Sequence, residues 1–378
     1  MLGVWEQQQL ENVVTVYSGR DYKGIPAGDI PVYGTGGYML SISQALSDKN
    51  DAIGIGRKGT IDHPFILKAP FWTVDTLFYC VPQHDYDLDF IYDLYQKVPW
   101  KALDESTGVP SLSKMAINHI KVLLPSLPEQ KQIGSLFRHV DGLINLHQRQ
   151  TQKLKKLKQG LLHEMFPREG ESVPRLRFPG FTTNWEQQRL GNITNRITRK
   201  NTHLESDIPL TLSAQYGLID QNEFFTKRIA SKDISGYYLV RNGEFAYNKS
   251  TSSDAPWGAI ERLDRYDQGV LSTLYIVFGV KDPQEINSDY LVSYYQTNLW
   301  HRGIQAIASE GARNHGLLNI TPADFFDTTI SVPSDYREQS LIGSFFRKLD
   351  DLLALHEQYT VKLTHLKKGL LQKMFPQD

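Results

Sequence analysis

Gly54-Ile55-Gly56-Arg57-Lys58-Gly59 places two cationic side chains between glycines spaced so that a backbone can approach a phosphate closely. A dinucleotide fingerprint needs such glycines to open a long helix whose amino end holds the pyrophosphate, and the following Thr60-Ile61-Asp62-His63-Pro64 offers no such helix. The stretch therefore reads as a turn between strands, either a plain hairpin or one whose Arg57 and Lys58 reach a phosphate or a base. Arginine, lysine, asparagine and glutamine pair with base edges, while serine, threonine and backbone amides hold phosphates. Loop residues of these kinds are Ser18, Arg20, Lys23, Tyr33, Arg57, Lys58 and Thr60 in the first half of the chain. In the second half they are Arg196, Arg199, Lys200, Lys249, Ser250, Thr251, Arg313, Asn314 and His315. Each taken singly is equally a solvated surface residue. The glycine-flanked groups Gly56 to Gly59 and Gly311 to Gly316 are the stronger candidates, since Arg313-Asn314-His315 puts three polar side chains in one loop.

Catalytic chemistry finds less support. Amino-methyltransferases grip a flipped base with an Asn or Asp followed by Pro-Pro and an aromatic, and the chain contains no Pro-Pro. Nuclease chemistry needs a carboxylate cluster with a lysine, whereas pairs such as Asp350-Asp351 fall on a helix, where a solvated face is the simpler role. The 11 histidines show no HExxH-type metal spacing, and the lone Cys80 can form neither an internal disulfide nor a thiolate set. Cysteine usage fits a reducing cytoplasm. No basic stretch leads into an apolar core at the amino terminus and no run of eighteen apolar residues occurs, so no membrane is expected. A formal net charge of -1 and a pI near 6.8 mean that a nucleic-acid surface must be a local patch or be completed by a partner. The 378 residues, 40% hydrophobic and 22% charged, have the composition of a globular protein of two or three domains.

These residues are carried on a duplicated framework. Glu129-Gln130-Lys131-Gln132-Ile133-Gly134-Ser135-Leu136-Phe137-Arg138 returns 209 positions later as Glu338-Gln339-Ser340-Leu341-Ile342-Gly343-Ser344-Phe345-Phe346-Arg347, and the match continues to Met165-Phe166-Pro167 and Met374-Phe375-Pro376. Upstream, Trp5-Glu6-Gln7-Gln8 answers Trp185-Glu186-Gln187-Gln188 at a shift of only 180, so the second segment has gained insertions. Weak echoes between these ends keep order, as in Thr76-Leu77 with Thr273-Leu274 and Tyr95-Gln96 with Tyr295-Gln296. The plan is variable domain, fixed helix, variable domain, fixed helix.

Apolar residues in two runs, Ile133, Phe137, Val140 and Ile144, then Leu154, Leu157, Leu161 and Met165, follow three-and-four spacing, as a coiled-coil seam does, and the second copy repeats them from Ile342 to Met374. One apolar stripe needs a partner, and the economical pairing is of the two copies with each other, antiparallel. His147 and Thr151, with His356 and Thr360, interrupt the seam and form either a register-setting polar layer or a local opening to solvent. Lys153, Lys155, Lys156 and Lys158 make a basic run whose simpler role is the solvated outer face of the helix, with phosphate tracking as the alternative.

The predicted division is a first domain over 1–127, a helix over 128–167, a Pro- and Gly-bearing linker over 168–184, a second domain over 185–336 and a helix over 337–378. Short β-rich runs such as Phe71 to Val74 and Leu274 to Phe278 alternate with turn signals and with helical stretches near Phe90 to Gln96 and Tyr290 to Gln296. The fold class is α+β: two mixed α/β domains separated by two long helices in a pseudo-two-fold repeat.

Across nearly the whole chain, the WEQQ openings, the EQ-x-x-IGS-x-F-R helix starts, the LKQGLLHEMFP and LKKGLLQKMFP ends and the VPRLRFPGF linker resemble the specificity subunit of a type I restriction-modification system. The resemblance implies that two target-recognition domains each read one half of a split, asymmetric site in double-stranded DNA, with the helices setting the spacing. It also implies two methylation subunits docked on the helices and, in the full complex, two restriction subunits. S-adenosylmethionine, ATP and Mg then belong to those partners and no cofactor to this chain, which is not an enzyme. The alternative is an assembly module that binds methylation subunits without productive DNA recognition. One departure is that little precedes Trp5, whereas Val173 to Asn184 precede Trp185.

Overall fold

A computed structural model describes residues 5–104, 106–168, 170–213, 217–224, 230–308 and 316–375. Contacts divide the chain into two units, one running to Gln150 and resuming at His356, the other spanning Thr151–Leu355. The divisions fall inside the two long helices, so each unit holds part of each helix.

In the first unit, β1 (Glu6–Gln9) pairs antiparallel with β9 (Lys121–Leu124). An antiparallel sheet has the order β2 (Val14–Ser18), β8 (Leu77–Pro82), β5 (Ala52–Gly56) and β6 (Phe65–Leu67). Every residue of β5 is buried, which explains its Ala-Ile-Gly-Ile-Gly composition in place of an alternating pattern. The hairpin of β3 (Ala27–Gly34) and β4 (Gly37–Ile42) turns at Thr35-Gly36, and β3 is joined in parallel by β7 (Trp72–Thr73). Helix α1 (Leu88–Lys97) is capped by Asp87, which accepts a hydrogen bond from Phe90 N, and the short α2 (Lys114–Asn118) is capped by Ser113. The long α3 spans Leu127–Met165.

The second unit repeats the frame. β10 (Glu186–Arg189) pairs with β19 (Thr329–Val332), and the sheet order is β11 (Thr194–Ile197), β18 (Ile276–Val280), β15 (Phe245–Asn248) and β16 (Ala259–Arg262). Here the additions are α4 (Leu190–Ile193), the hairpin β12 (Leu210–Ser213) and β13 (Gly217–Asp220), α5 (Gln221–Phe224), and β14 (Tyr238–Arg241) paired with β17 (Gln268–Leu271). Helix α6 (Ser288–Tyr295) is capped by Asn287, and α7 (His301–Ile307) and α8 (Pro322–Asp327) lead to the long α9 (Tyr336–Met374).

The repeated helix starts are docking devices. Gln130, 2% exposed, accepts from Asp87 N at 3.1 Å and donates to Pro125 O at 2.9 Å; Gln339 accepts from Asn287 N at 2.9 Å and donates to Pro333 O at 3.0 Å. A Cβ on Gly134 would sit 2.6 Å from Phe90 N, and one on Gly343 2.6 Å from Tyr290 N, so glycine lets each long helix cross the amino end of α1 or α6. Arg138 pairs with Asp89 and Arg347 with Asp289.

The repeated openings and ends meet as aromatic clusters. In the first unit Trp5, Phe90 and Phe137 surround Phe375, with ring centroids 5.2–6.0 Å from it. In the second, Trp185, Tyr290 and Phe346 surround Phe166 at 5.7–6.2 Å. Burying such rings is worth several kcal/mol per unit, on the order of 2–3 kcal/mol per side chain.

Within each unit the halves of α3 and α9 run antiparallel. Asp141 pairs with Lys367 at 2.6 Å and His147 meets His356 in the first; Lys158 pairs with Asp350 in the second. This corrects two expectations. Leu157 is 51% exposed and Leu366 50% exposed, outside the seam, while Lys158 and Lys367 take the inward positions. Strict alternation of four and three from Ile133 and Phe137 through His147 and Thr151 reaches 154 and then 158, so the seam itself carries Lys158 and leaves Leu157 one position outside it. Lys158 accordingly leaves the solvated basic run.

Candidate nucleic-acid interface

The Gly56 to Gly59 stretch is the exit of the buried strand β5, clamped from both sides. Arg57 N and Lys58 N donate to Thr76 O at 2.8 and 3.2 Å, Gly59 N to Pro110 O at 2.8 Å, and Leu112 N to Arg57 O at 2.9 Å. A Cβ on Gly56 would lie 1.9 Å from Thr60 O, and Gly59 has φ +91°, so these two glycines answer to local geometry. The clamp leaves both cationic side chains exposed. Arg57 stands over the Phe78 ring at 5.8 Å and donates to Asp75 O at 3.4 Å. With Ser18, Thr76, Ser111 and Lys114, Arg57 and Lys58 line a depression of about 530 Å³ at the ends of β2 and β5 and the start of β8. Asp75 also lines it.

The second unit builds the same clamp from different residues. Thr251 N donates to Gly316 O at 2.7 Å and Leu318 N to Lys249 O at 3.0 Å, with a bridge between Ser250 and Leu317; the counterparts are Gly59, Arg57 and the bridge between Lys58 and Ser111. The matching registers of β5 with β8 and of β15 with β18 therefore set Lys249 where the first unit has Arg57, and Ser250 where it has Lys58. Thr251 Oγ1 also donates to Gly316 O at 3.0 Å, and Lys249 Nζ reaches Ile320 O at 3.5 Å. Arg313, Asn314 and His315 lie outside the described residues, in the segment that leads into Gly316.

The other sequence candidates separate into free and engaged groups. Ser18 ends β2 and lines the depression; Arg20, Lys23 and Thr60 are exposed, Arg20 offering its carbonyl to Trp72 Nε1 and Lys23 N donating to Asp21. Tyr33 packs against Phe65 and Tyr38, so its ring serves the hairpin. Arg196 is exposed on β11. Arg199 donates twice to Glu244, at 2.8 and 2.9 Å, and Lys200 donates to Gly236 O while its ammonium lies 4.1 Å from the Tyr238 ring centroid, so both hold structure in this state. Sequence reasoning missed Lys114 and Ser111. A local signal lies beside them, since Leu112-Ser113 and Ile320-Thr321 each set a hydroxyl residue ahead of a short helix, and Ser113 and Thr321 cap α2 and α8.

Among the described residues no group of three or more His, Cys, Asp or Glu could hold a metal ion, and no helix is long and apolar enough to cross a membrane. Burial pushes the Cys80 thiol up to about 12, so it is no nucleophile in the folded state.

Residues 4–156 match the family described as type I restriction modification DNA specificity domain. The chain as a whole has the fold of a type I restriction-modification specificity subunit. It superposes on the S subunit of the type I restriction-modification system from M. genitalium with a TM-score of 0.72 and 14% identity, covering 100% of this chain and 97% of that one. The type I restriction enzyme MjaVIII specificity subunit of Methanocaldococcus jannaschii is 30% identical over 113 residues, 29% of this chain and 27% of that protein. The putative MjaX specificity subunit of the same organism is 28% identical over 103 residues, 26% of this chain and 23% of that protein. The chain thus spans about a quarter of the length of these curated relatives.

Proposed function

We propose that the chain is the non-catalytic DNA-reading subunit of a type I restriction-modification complex in the cytoplasm, recognising a bipartite, asymmetric double-stranded site. The observation that carries this reading is the twice-built strand-exit clamp, which presents Arg57 and Lys58 in one unit and Lys249 and Ser250 in the other. One framework with different terminal side chains suits two half-sites of different sequence, because base edges discriminate among arginine, lysine and serine.

Two methylation subunits fit the outward faces of the helices. The first unit exposes Leu143, Leu146 and Leu366; the second exposes their repeat equivalents Leu352, Leu355 and Leu157, each 39–51% exposed. A like apolar patch in each unit suits two copies of one partner, and S-adenosylmethionine is assigned to that partner, with ATP and Mg assigned to restriction subunits.

The test is detection of methylated adenine across the genome of cells expressing this chain with its methylation subunit, against cells expressing the methylation subunit alone. A split motif that appears only with this chain supports the reading. A co-purifying complex with no new motif would leave the assembly module in its place.

A further inference from the structure

Three cations of the first unit, Arg57, Lys58 and Lys114, line the depression at the strand exits together with one carboxylate, Asp75. Asp75 and Thr76 make the turn between β7 and β8, closed by Leu77 N donating to Val74 O at 3.0 Å. The Asp75 carbonyl accepts from Arg57 Nη1 at 3.4 Å, and the guanidinium lies 5.8 Å from the Phe78 ring centroid. One residue thus orients the arginine through its backbone and brings its own carboxylate to the same depression. Asp75 is exposed, and among the described residues its carboxylate has no hydrogen-bond or ion-pair partner. An aspartate that serves a turn accepts backbone N–H groups, as Asp104 does from Ser106 and Ser111. A phosphate is repelled by an acid placed here, so Asp75 weakens plain backbone binding and calls for a donor that offsets the loss.

We propose that Arg57 and Asp75 together read one G·C pair from its major-groove edge, an assignment that rests on the DNA-reading role of this depression. Guanine presents two acceptors there, N7 and O6, and its cytosine presents the N4 amino donor. The arginine fork supplies two donors and the aspartate an acceptor, which complements the whole edge of the pair. An A·T pair reverses the last two groups, setting the adenine N6 donor against the guanidinium and the thymine O4 acceptor against the carboxylate. The second unit repeats the turn, with Tyr275 N donating to Ser272 O at 3.2 Å, but its register puts Thr273 in place of Asp75 and Lys249 in place of Arg57. The G·C reading therefore belongs to one half-site alone.

The test uses the full chain in complex with its methylation subunit and duplexes carrying the split motif that the complex methylates. That motif is expected to contain a G·C pair at which both Asp75→Ala and Arg57→Ala relax the preference, while Thr273→Ala leaves it unchanged. Replacing the cytosine of this pair by pyrimidin-2-one, which lacks the N4 amino group, should weaken the wild type about tenfold and leave Asp75→Ala unaffected. Both side chains are exposed, so the variants keep the fold, which circular dichroism checks. Tighter binding of Asp75→Ala to every sequence with the motif unchanged, or an equal loss on the analogue in both proteins, overturns the G·C assignment; relaxation by Arg57→Ala in the same experiment keeps the DNA-reading role. Absence of any split motif from the wild-type complex overturns that role and the assignment with it.

Discussion

His147 and His356, 209 residues apart and at the same position of the two repeats, face each other with their Nδ1 atoms 2.8 Å apart. Tyr359 stacks on His147 at 5.0 Å. One Nδ1 must donate and the other accept, so the pair works only while one ring leaves that nitrogen unprotonated. This is a polar layer inside the helix pair, trading stability for register. His147→Leu alone strands the partner nitrogen and should lower stability by about 1 kcal/mol. His147→Leu with His356→Leu should instead raise Tm by about 2–4 °C, the shift expected for roughly 1 kcal/mol in a domain of this size. A double variant that melts below the wild type in calorimetry would refute the polar-layer assignment.

Asp93 on α1 is 1% exposed and its Oδ2 has no hydrogen-bond partner; burial pushes its carboxyl up to about 8, against the attraction of Lys367. An acid whose folded value is raised keeps its proton in the folded state while the unfolded chain releases it. Its contribution to stability is thus full below about pH 4 and is lost as pH rises toward about 8. The equivalent position in the second unit is Ser293, which donates to Asp289 O. Asp93→Asn should remove the penalty, making the variant more stable than wild type at pH 8 and nearly equal to it at pH 4. Urea titrations at the two pH values check this, and a gain equal at both would contradict it.

Arg57 and Lys249 are predicted to report on different half-sites. Arg57→Ala should cost about 1–3 kcal/mol in DNA binding and relax preference at one half-site, with Lys249→Ala acting on the other. Arg199→Ala, which removes the Glu244 pair, should lower Tm with little change of specificity. Binding to a library of split sites, read by sequencing, separates these outcomes; relaxation of the same half-site by both substitutions would argue against one reader per unit.

Insertion of four residues into α3 near Leu157 should lengthen the spacer between the half-sites and leave their bases unchanged. The 39-residue helix is about 58 Å long, and four residues add about 6 Å. An unchanged spacer in the methylated motif would remove the helices from that role.

The sequence by itself determined the duplicated plan, because two helices under one packing constraint diverge slowly and their matching residues stay visible. Gln130 and Gln339, Gly134 and Gly343, and Phe137 and Phe346 were legible as a repeat before any contact was known. It also marked Arg57 and Lys58, since glycines about a tight turn are a local signal. What the tertiary structure alone decided was which neighbours those residues meet. Lys158 turns inward because Asp350 waits across the helix pair, and Arg199 is held by Glu244, 45 residues along the chain. The equivalence of Arg57 with Lys249 rests on hydrogen-bond register between strands, and insertions had erased it from the linear sequence. Local geometry is written in residue order, but the burial and pairing of a charge depend on what the rest of the chain brings to it.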